Sequence, residues 1–258
     1  MIKDKVLEGL PLDDVFIFDV HGHIDPDPRF FTPNCDGAGV YDTLDKLGIN
    51  GICVSSVMAF DSDVNLGNET VLKATEDFKG RIYGYFLPNP YRECYPEKYL
   101  TGKNGILGVK IHANGNRTVI DNPAYYPSYE IADALGMPVL IHTWSDGEVR
   151  LVQKLAKEFK NANFIIAHSA MLVPYRNSCV EACKSADNIY VDTALSSSCE
   201  GTVEYIVDKV GADKVLYGSD LTFFDCRQTV GKIGLANISE EDKIKIYGLN
   251  AKRLFKGI

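Results

Sequence analysis

The sequence predicts an α/β protein, a single-domain (β/α)8 TIM barrel over residues 1–258, and three observations predict it. Eight short β-rich runs recur along the chain, segments of helical periodicity lie between them, and no Pro/Ser-rich linker or low-complexity stretch divides them. Eight repeats over 258 residues average about 32 residues each, a normal length for a βαβ unit.

The runs are 15–20 (VFIFDV), 51–57 (GICVSSV), 82–87 (IYGYFL), 106–112 (ILGVKIH), 138–142 (PVLIH), 163–167 (NFIIA), 188–192 (NIYVD) and 214–218 (KVLYG). They lack the one-sided alternation of a sheet that faces water, so they read as parallel strands covered on both faces. Between them, 147–160 carries Val149, Val152, Leu155, Ala156 and Phe159 at helical spacing, and 200–210 repeats this with Val203, Ile206, Val207 and Val210. The stretch 125–135 stops before Gly136, a C-cap signal, and the chain closes with helices near 239–247 and 250–256. A doubly wound open sheet is the alternative, but it predicts a Gly-rich phosphate turn after the first strand. That turn reads His21-Gly22-His23 instead. The Pro-rich segment 26–33 reads as a loop over the barrel mouth.

Charge and composition narrow the function. Lys and Arg number 27 against 35 Asp and Glu, a net charge of −8, which argues against a nucleic-acid partner needing basic patches. An anionic small molecule is still allowed, because local charge can oppose net charge. No apolar run approaches the roughly 20 residues that cross a bilayer, so no membrane partner is expected. The first residues carry acids where a secretory signal would be apolar, and the seven cysteines are odd in number and scattered. A cytoplasmic location follows as the expectation, and the sequon Asn68-Glu69-Thr70 is read as chance.

All five histidines, His21, His23, His112, His142 and His168, fall at or just past the C-terminal ends of predicted strands 1, 4, 5 and 6. In a barrel that end carries the active site. Strict alternation puts His21, His23 and Asp19 on one face of strand 1, with Phe18 and Val20 on the other. It likewise groups Lys110 with His112, and sets His142 opposite Ile141 and His168 opposite Ala167. Asp220, past strand 8, joins the same lip. Imidazoles and carboxylates gathered there suit zinc, and also Mn, Co or Fe(II).

With these elements the chain resembles the amidohydrolase superfamily: FDVHGH at 18–23, VLIH at 139–142, IIAHS at 165–169 and YGSD at 217–220, in order over nearly its whole length. The closing IYGLNAKRLF (246–255) is similar to the terminal helix of the amidohydrolase-2 branch, which groups metal-dependent hydrolases with decarboxylases of the aminocarboxymuconate-semialdehyde type. The resemblance implies that His21, His23, His142 and Asp220 bind one divalent metal, most readily zinc. It implies that His168 orients or protonates substrate and that Asp220 doubles as general base. A binuclear site requires a carboxylated Lys110; the preferred reading is an unmodified Lys110 lining the pocket, with His112 against substrate.

Five of eight arginines lie in strand-to-helix connections, among them Arg29, Arg117 and Arg176, which points to an anionic, carboxylate-bearing substrate. Aromatics crowd the same loops, and Trp144, the only tryptophan, lies two residues past His142. A flat substrate stacked there and a homo-oligomer contact are both open. The leading expectation is a hydrolase acting through a metal-activated water. The alternatives are a non-oxidative decarboxylase of an unsaturated or aromatic acid and a non-catalytic metal- or ligand-binding barrel.

Overall fold

The computed structural model describes residues 1–258. Eight parallel strands run in sequence order: β1 (Phe18–Ile24), β2 (Gly51–Ser56), β3 (Ile82–Phe86), β4 (Ile106–Ile111), β5 (Pro138–His142), β6 (Asn163–Ala167), β7 (Ile189–Asp192) and β8 (Val215–Leu216). Each overlaps one of the eight β-rich runs, but β1 starts three residues later than its run and continues to Ile24, so His21-Gly22-His23 lies within the strand and not in a turn after it. Between β8 and β1 the ring closes through irregular backbone: Val20 N donates to Tyr217 O at 2.9 Å, and Asp220 N donates to His21 O at 2.8 Å. The (β/α)8 barrel is therefore the observed fold, with helices between the strands as the periodicity requires. The helix Tyr126–Leu135 ends on Gly136 at φ 66°, a left-handed cap that only a residue without Cβ adopts at no steric cost.

Two apolar layers hold the barrel. The larger lies between strands and helices and takes Val54, Val109, Ile141 and Ile166 from the strands and Val152, Leu155 and Ile206 from the helices. The smaller fills the barrel itself with Phe18, Val20, Cys53, Tyr85, Leu140, Ile165, Ala167 and Leu216. Ala251, Leu254 and Phe255, at the C-terminus, belong to this inner cluster and plug the end of the barrel away from the histidines. The polar residues of the opposite end stand on this packed floor.

The inner cluster corrects the predicted register twice. Phe18 and Val20 face the interior, as do the histidines that follow them. A bulge between Asp19 and Gly22 resets the pairing with β2, so that one extra residue on β1 switches His21 and His23 inward. On β6, Ala167 is inward, which by alternation would send His168 out. Instead His168 has φ 66°, a left-handed turn that returns its side chain to the interior. No helix is long and apolar enough to cross a membrane. Asn68 is buried and its Nδ2 donates to Val64 O and Leu87 O, so the sequon is closed to modification. All seven cysteines are free.

Asp19 ties the closure together. Its Oδ1 accepts from His21 N and Ser219 N, each at 3.0 Å, and its Oδ2 accepts from Ser219 Oγ. Asp19→Ala leaves these buried donors without acceptors, at a cost of about 3 kcal/mol. Urea unfolding should show a lowered midpoint at unchanged slope; an unaltered midpoint would contradict the closure role.

Candidate active site and metal centre

Six strand ends build the site. β1 brings His21 and His23, β4 brings Lys110 and His112, and β5 brings His142 with Trp144 beyond it. β6 leads to His168, β7 ends on Asp192, and the chain past β8 delivers Asp220. Asp220 also has positive φ, 65°, in a turn whose carbonyl accepts from Phe223 N and Phe224 N. Left-handed backbone at a non-glycine residue costs about 1–3 kcal/mol and persists only where surrounding contacts impose it. Here it falls on two residues of one buried cluster.

One potential ligand atom from each of His21, His23 and Asp220 lies within 4.8 Å of the others. Asp220 Oδ1 is 3.1 Å from His23 Nε2 and 3.3 Å from His21 Nε2. The opposite nitrogens are occupied: His21 Nδ1 meets Asp192 Oδ2 at 2.6 Å, and His23 Nδ1 meets Ser55 Oγ at 3.2 Å. A carboxylate behind His21 Nδ1 and a hydroxyl behind His23 Nδ1 can each accept an outward Nδ1–H, the tautomer that would leave Nε2 a lone pair for a metal. Burial, then the Lys110 charge, pushes His21 well below its usual pKa, and burial pushes His23 down as well, against the opposing pull of Asp220. Burial alone would raise Asp220; positive charge on the surrounding His21, His168 and His23, or a cation in its place, lowers the carboxyl below the usual carboxylate range.

These residues fit a divalent cation. Two imidazoles and one carboxylate converge out of water, and that set suits zinc, manganese or iron. Lys110 supplies a direct observation: its ammonium donates to His21 Nε2 at 2.7 Å, so this lone pair already faces positive charge. Lys110 is fully buried, and burial lowers its pKa to about 8.

The other residues expected at the site fall into two groups. His168 belongs to the cluster: its ring centroid is 4.8 Å from that of His21, and Trp144 stacks on its other side at 5.2 Å. Its Nδ1 donates to Ala194 O at 2.8 Å, leaving Nε2 free. His142 stands beside the three-residue group rather than in it. Its Nε2 accepts the Trp144 indole N–H, and its ring stacks on His112 at 4.0 Å. Burial holds His112 down to about 3, hence neutral. Phe60 stacks on His112 at 4.5 Å, and the Arg29 guanidinium lies 5.9 Å from the Phe60 ring centroid while pairing with Asp27. Arg117 is exposed, and the Arg176 guanidinium lies over Tyr205 at 4.4 Å, within the outer helices.

Sequence reasoning missed Asp192 and Ser55. Asp192 accepts from His21 Nδ1 through one oxygen and from the backbone of His168 and Ala194 through the other. Its signal was the acid closing the run NIYVD, at the same strand-end position as the histidines. The walls are aromatic: Phe223 stacks on His23 at 4.6 Å and Phe30 on Phe223 at 4.7 Å. Beyond Phe223 opens a cleft of about 620 Å³ bordered by Phe31, Thr222, Phe224 and Arg227.

A family model described as amidohydrolase matches residues 18–257, and the chain belongs to that enzyme family, the amidohydrolase-2 family. Several solved structures share the fold. 5-Carboxyvanillate decarboxylase from Sphingomonas paucimobilis matches at 15% identity and TM-score 0.70, over 93% of this chain and 99% of that one. A dihydroxybenzoic acid decarboxylase from Polaromonas sp. JS666, with bound manganese and the inhibitor 2-nitroresorcinol, matches at 18% identity and TM-score 0.72, over 94% and 97%. A probable 2-pyrone-4,6-dicarboxylic acid hydrolase from Acinetobacter baumannii, with citric acid bound, matches at 13% identity and TM-score 0.72, over 93% and 98%. No curated protein matches the chain by sequence.

Three substitutions test the centre. His23→Ala and Asp220→Asn should each reduce bound metal, measured by elemental analysis of the purified variants. Asp192→Asn removes the charge behind His21 and should weaken metal affinity by about 10–100-fold in a chelator competition. Affinity equal to wild type would remove Asp192 from the account.

Proposed function

We propose that this protein is a divalent-metal-dependent, non-oxidative decarboxylase of a small, planar carboxylic acid. The observation that carries the reading is the shape of the cluster's walls. Phe223 lies against His23, Trp144 against His168 and Phe60 against His112, each ring pair within 23° of parallel. Flat walls of this kind accept a conjugated or aromatic acid by stacking. They also keep the donor set dry, which favours proton delivery from a fixed residue over attack by water. Structures of the same fold include two enzymes named for the decarboxylation of substituted benzoates. These likenesses make the decarboxylase, which the sequence reading ranked second, at least as well supported as the hydrolase, and the wall geometry is our reason for putting it first.

His21, His23 and Asp220 would hold the cation, with His142 joining them if it leaves Trp144. A divalent cation supplies positive charge that stabilises negative charge developing on substrate oxygens. The Lys110 ammonium adds a second positive group for the substrate's carboxylate. Trp144 and Phe223 orient the ring plane and exclude water. As the bond from carbon to carboxylate breaks, carbon dioxide leaves and the electron pair remains on carbon. His168 keeps its Nδ1–H on Ala194 O; its Nε2 lone pair first takes a proton from solvent, and the resulting imidazolium delivers that Nε2 proton to the carbon and returns to the neutral Nδ1–H form. Reversible proton transfer by a positioned histidine contributes about 10²–10⁴-fold.

A second reading keeps its own support. Asp220 lies beside the Nε2 atoms of His21 and His23, where its carboxylate can accept a proton from a water held at the donor set. That chemistry suits a hydrolase of a small lactone or amide bearing a carboxylate, and a probable dicarboxylic acid hydrolase shares the fold.

The two readings separate on products. The metal-loaded protein should release carbon dioxide from a panel of hydroxybenzoates and unsaturated acids and leave a lactone panel intact. Lactone hydrolysis without carbon dioxide release would reverse the assignment. His168→Asn should keep its metal and lose turnover by about 10²–10⁴-fold. Loss of the metal in that variant would make His168 a ligand instead.

A further inference from the structure

The helix Cys226–Leu235 lies outside the barrel, yet one of its side chains reaches the strand end that holds His168. Lys232 Nζ donates to Thr193 O at 2.9 Å and to Leu195 O at 2.5 Å. The carbonyl between these two, Ala194 O, is the one that accepts from His168 Nδ1. Carbonyls point in alternating directions along an extended chain. The bonds here follow that alternation: 193 and 195 turn toward the helix, and 194 turns toward the site.

The start of this segment is anchored independently. Asp192 Oδ1 accepts from His168 N and Ala194 N, and Thr193 Oγ1 bonds both the N–H and the carbonyl of Gly218. Beyond Ala194 N, Lys232 is the side chain that bonds this backbone from the helix side, through the carbonyls of Thr193 and Leu195. It does so with two neutral carbonyls as its partners, and burial lowers its pKa to about 8. Lys232 is half-buried, and its ammonium is used on these two carbonyls rather than on a carboxylate.

We propose that Lys232 is a positioning residue: by holding the carbonyls of Thr193 and Leu195 from outside the barrel, it aims Ala194 O at His168 and fixes the tautomer with the proton on Nδ1. The consequence for turnover rests on the reading of His168 as the group that moves the proton. The consequence for the tautomer does not.

The test compares Lys232→Met with Lys232→Arg in zinc-loaded protein carrying ¹⁵N-histidine. His168→Asn identifies the His168 signals by subtraction. Lys232→Met should keep one metal per chain, shift His168 away from the Nδ1–H tautomer, and lower kcat about tenfold with KM within about twofold. Lys232→Arg, whose planar fork can donate to both carbonyls, should restore the Nδ1–H signal and most of kcat. An unshifted tautomer in Lys232→Met overturns the proposal, as does an Arg variant no better than Met. A tautomer shift with kcat unchanged in both Lys232→Met and His168→Asn instead overturns the role given to His168. Should Lys232→Met fail to fold, Lys232→Gln, which spans fewer bonds, is read against the same outcomes.

Discussion

The hydrogen bond between His21 Nδ1 and Asp192 Oδ2, 2.6 Å long and wholly buried, sets the chemistry of this barrel. It fixes which nitrogen of His21 carries the proton and which faces the centre. Without it, the ring could flip and present an N–H where a lone pair is needed. Its acceptor also holds the backbone of His168 and Ala194, so one carboxylate orients the His21 imidazole and the peptide leading to a second imidazole. The charge is buried, and burial raises Asp192 to about 6. Such a group is tolerated in an interior when its hydrogen bonds are complete, as they are here.

Regular secondary structure alone would not assemble the cluster. Strands alternate, and alternation sends some strand-end residues to the helix layer. Three local departures bring the needed groups together: the bulge before Gly22, and positive φ at His168 and Asp220. Each lies on the mouth side of the barrel: the bulge within β1, whose ladder with β2 runs on to Ile24 and Ser56, and the two left-handed residues past the ends of β6 and β8. The opposite end has no need of them and is packed by the inner apolar cluster. The division follows a general trade: a regular, dry floor supplies stability, and an irregular rim places polar groups against local backbone preference.

Much of this was legible in the residues. Strand positions followed from β-rich runs such as PVLIH and NFIIA, and the site end followed from where the histidines sit. The register of His21 and of His168 was not legible, because alternation assumes an unbroken pleat and carries no sign of a bulge or a left-handed residue. Asp192 was missed for a related reason. A single acid at the end of NIYVD looks like many others until His21, 171 positions earlier, is found against it. Arg176 shows the converse: its position on a strand-to-helix connection suggested substrate, whereas its guanidinium packs on Tyr205.

The central claim is that His21, His23 and Asp220 share one cation. Crystals soaked in manganese and measured for anomalous scattering test it most directly. The account predicts a single strong peak per chain, within bonding distance of His21 Nε2, His23 Nε2 and an Asp220 oxygen, with the Lys110 ammonium displaced from His21. A peak elsewhere, or none at this cluster at saturating manganese, would contradict it.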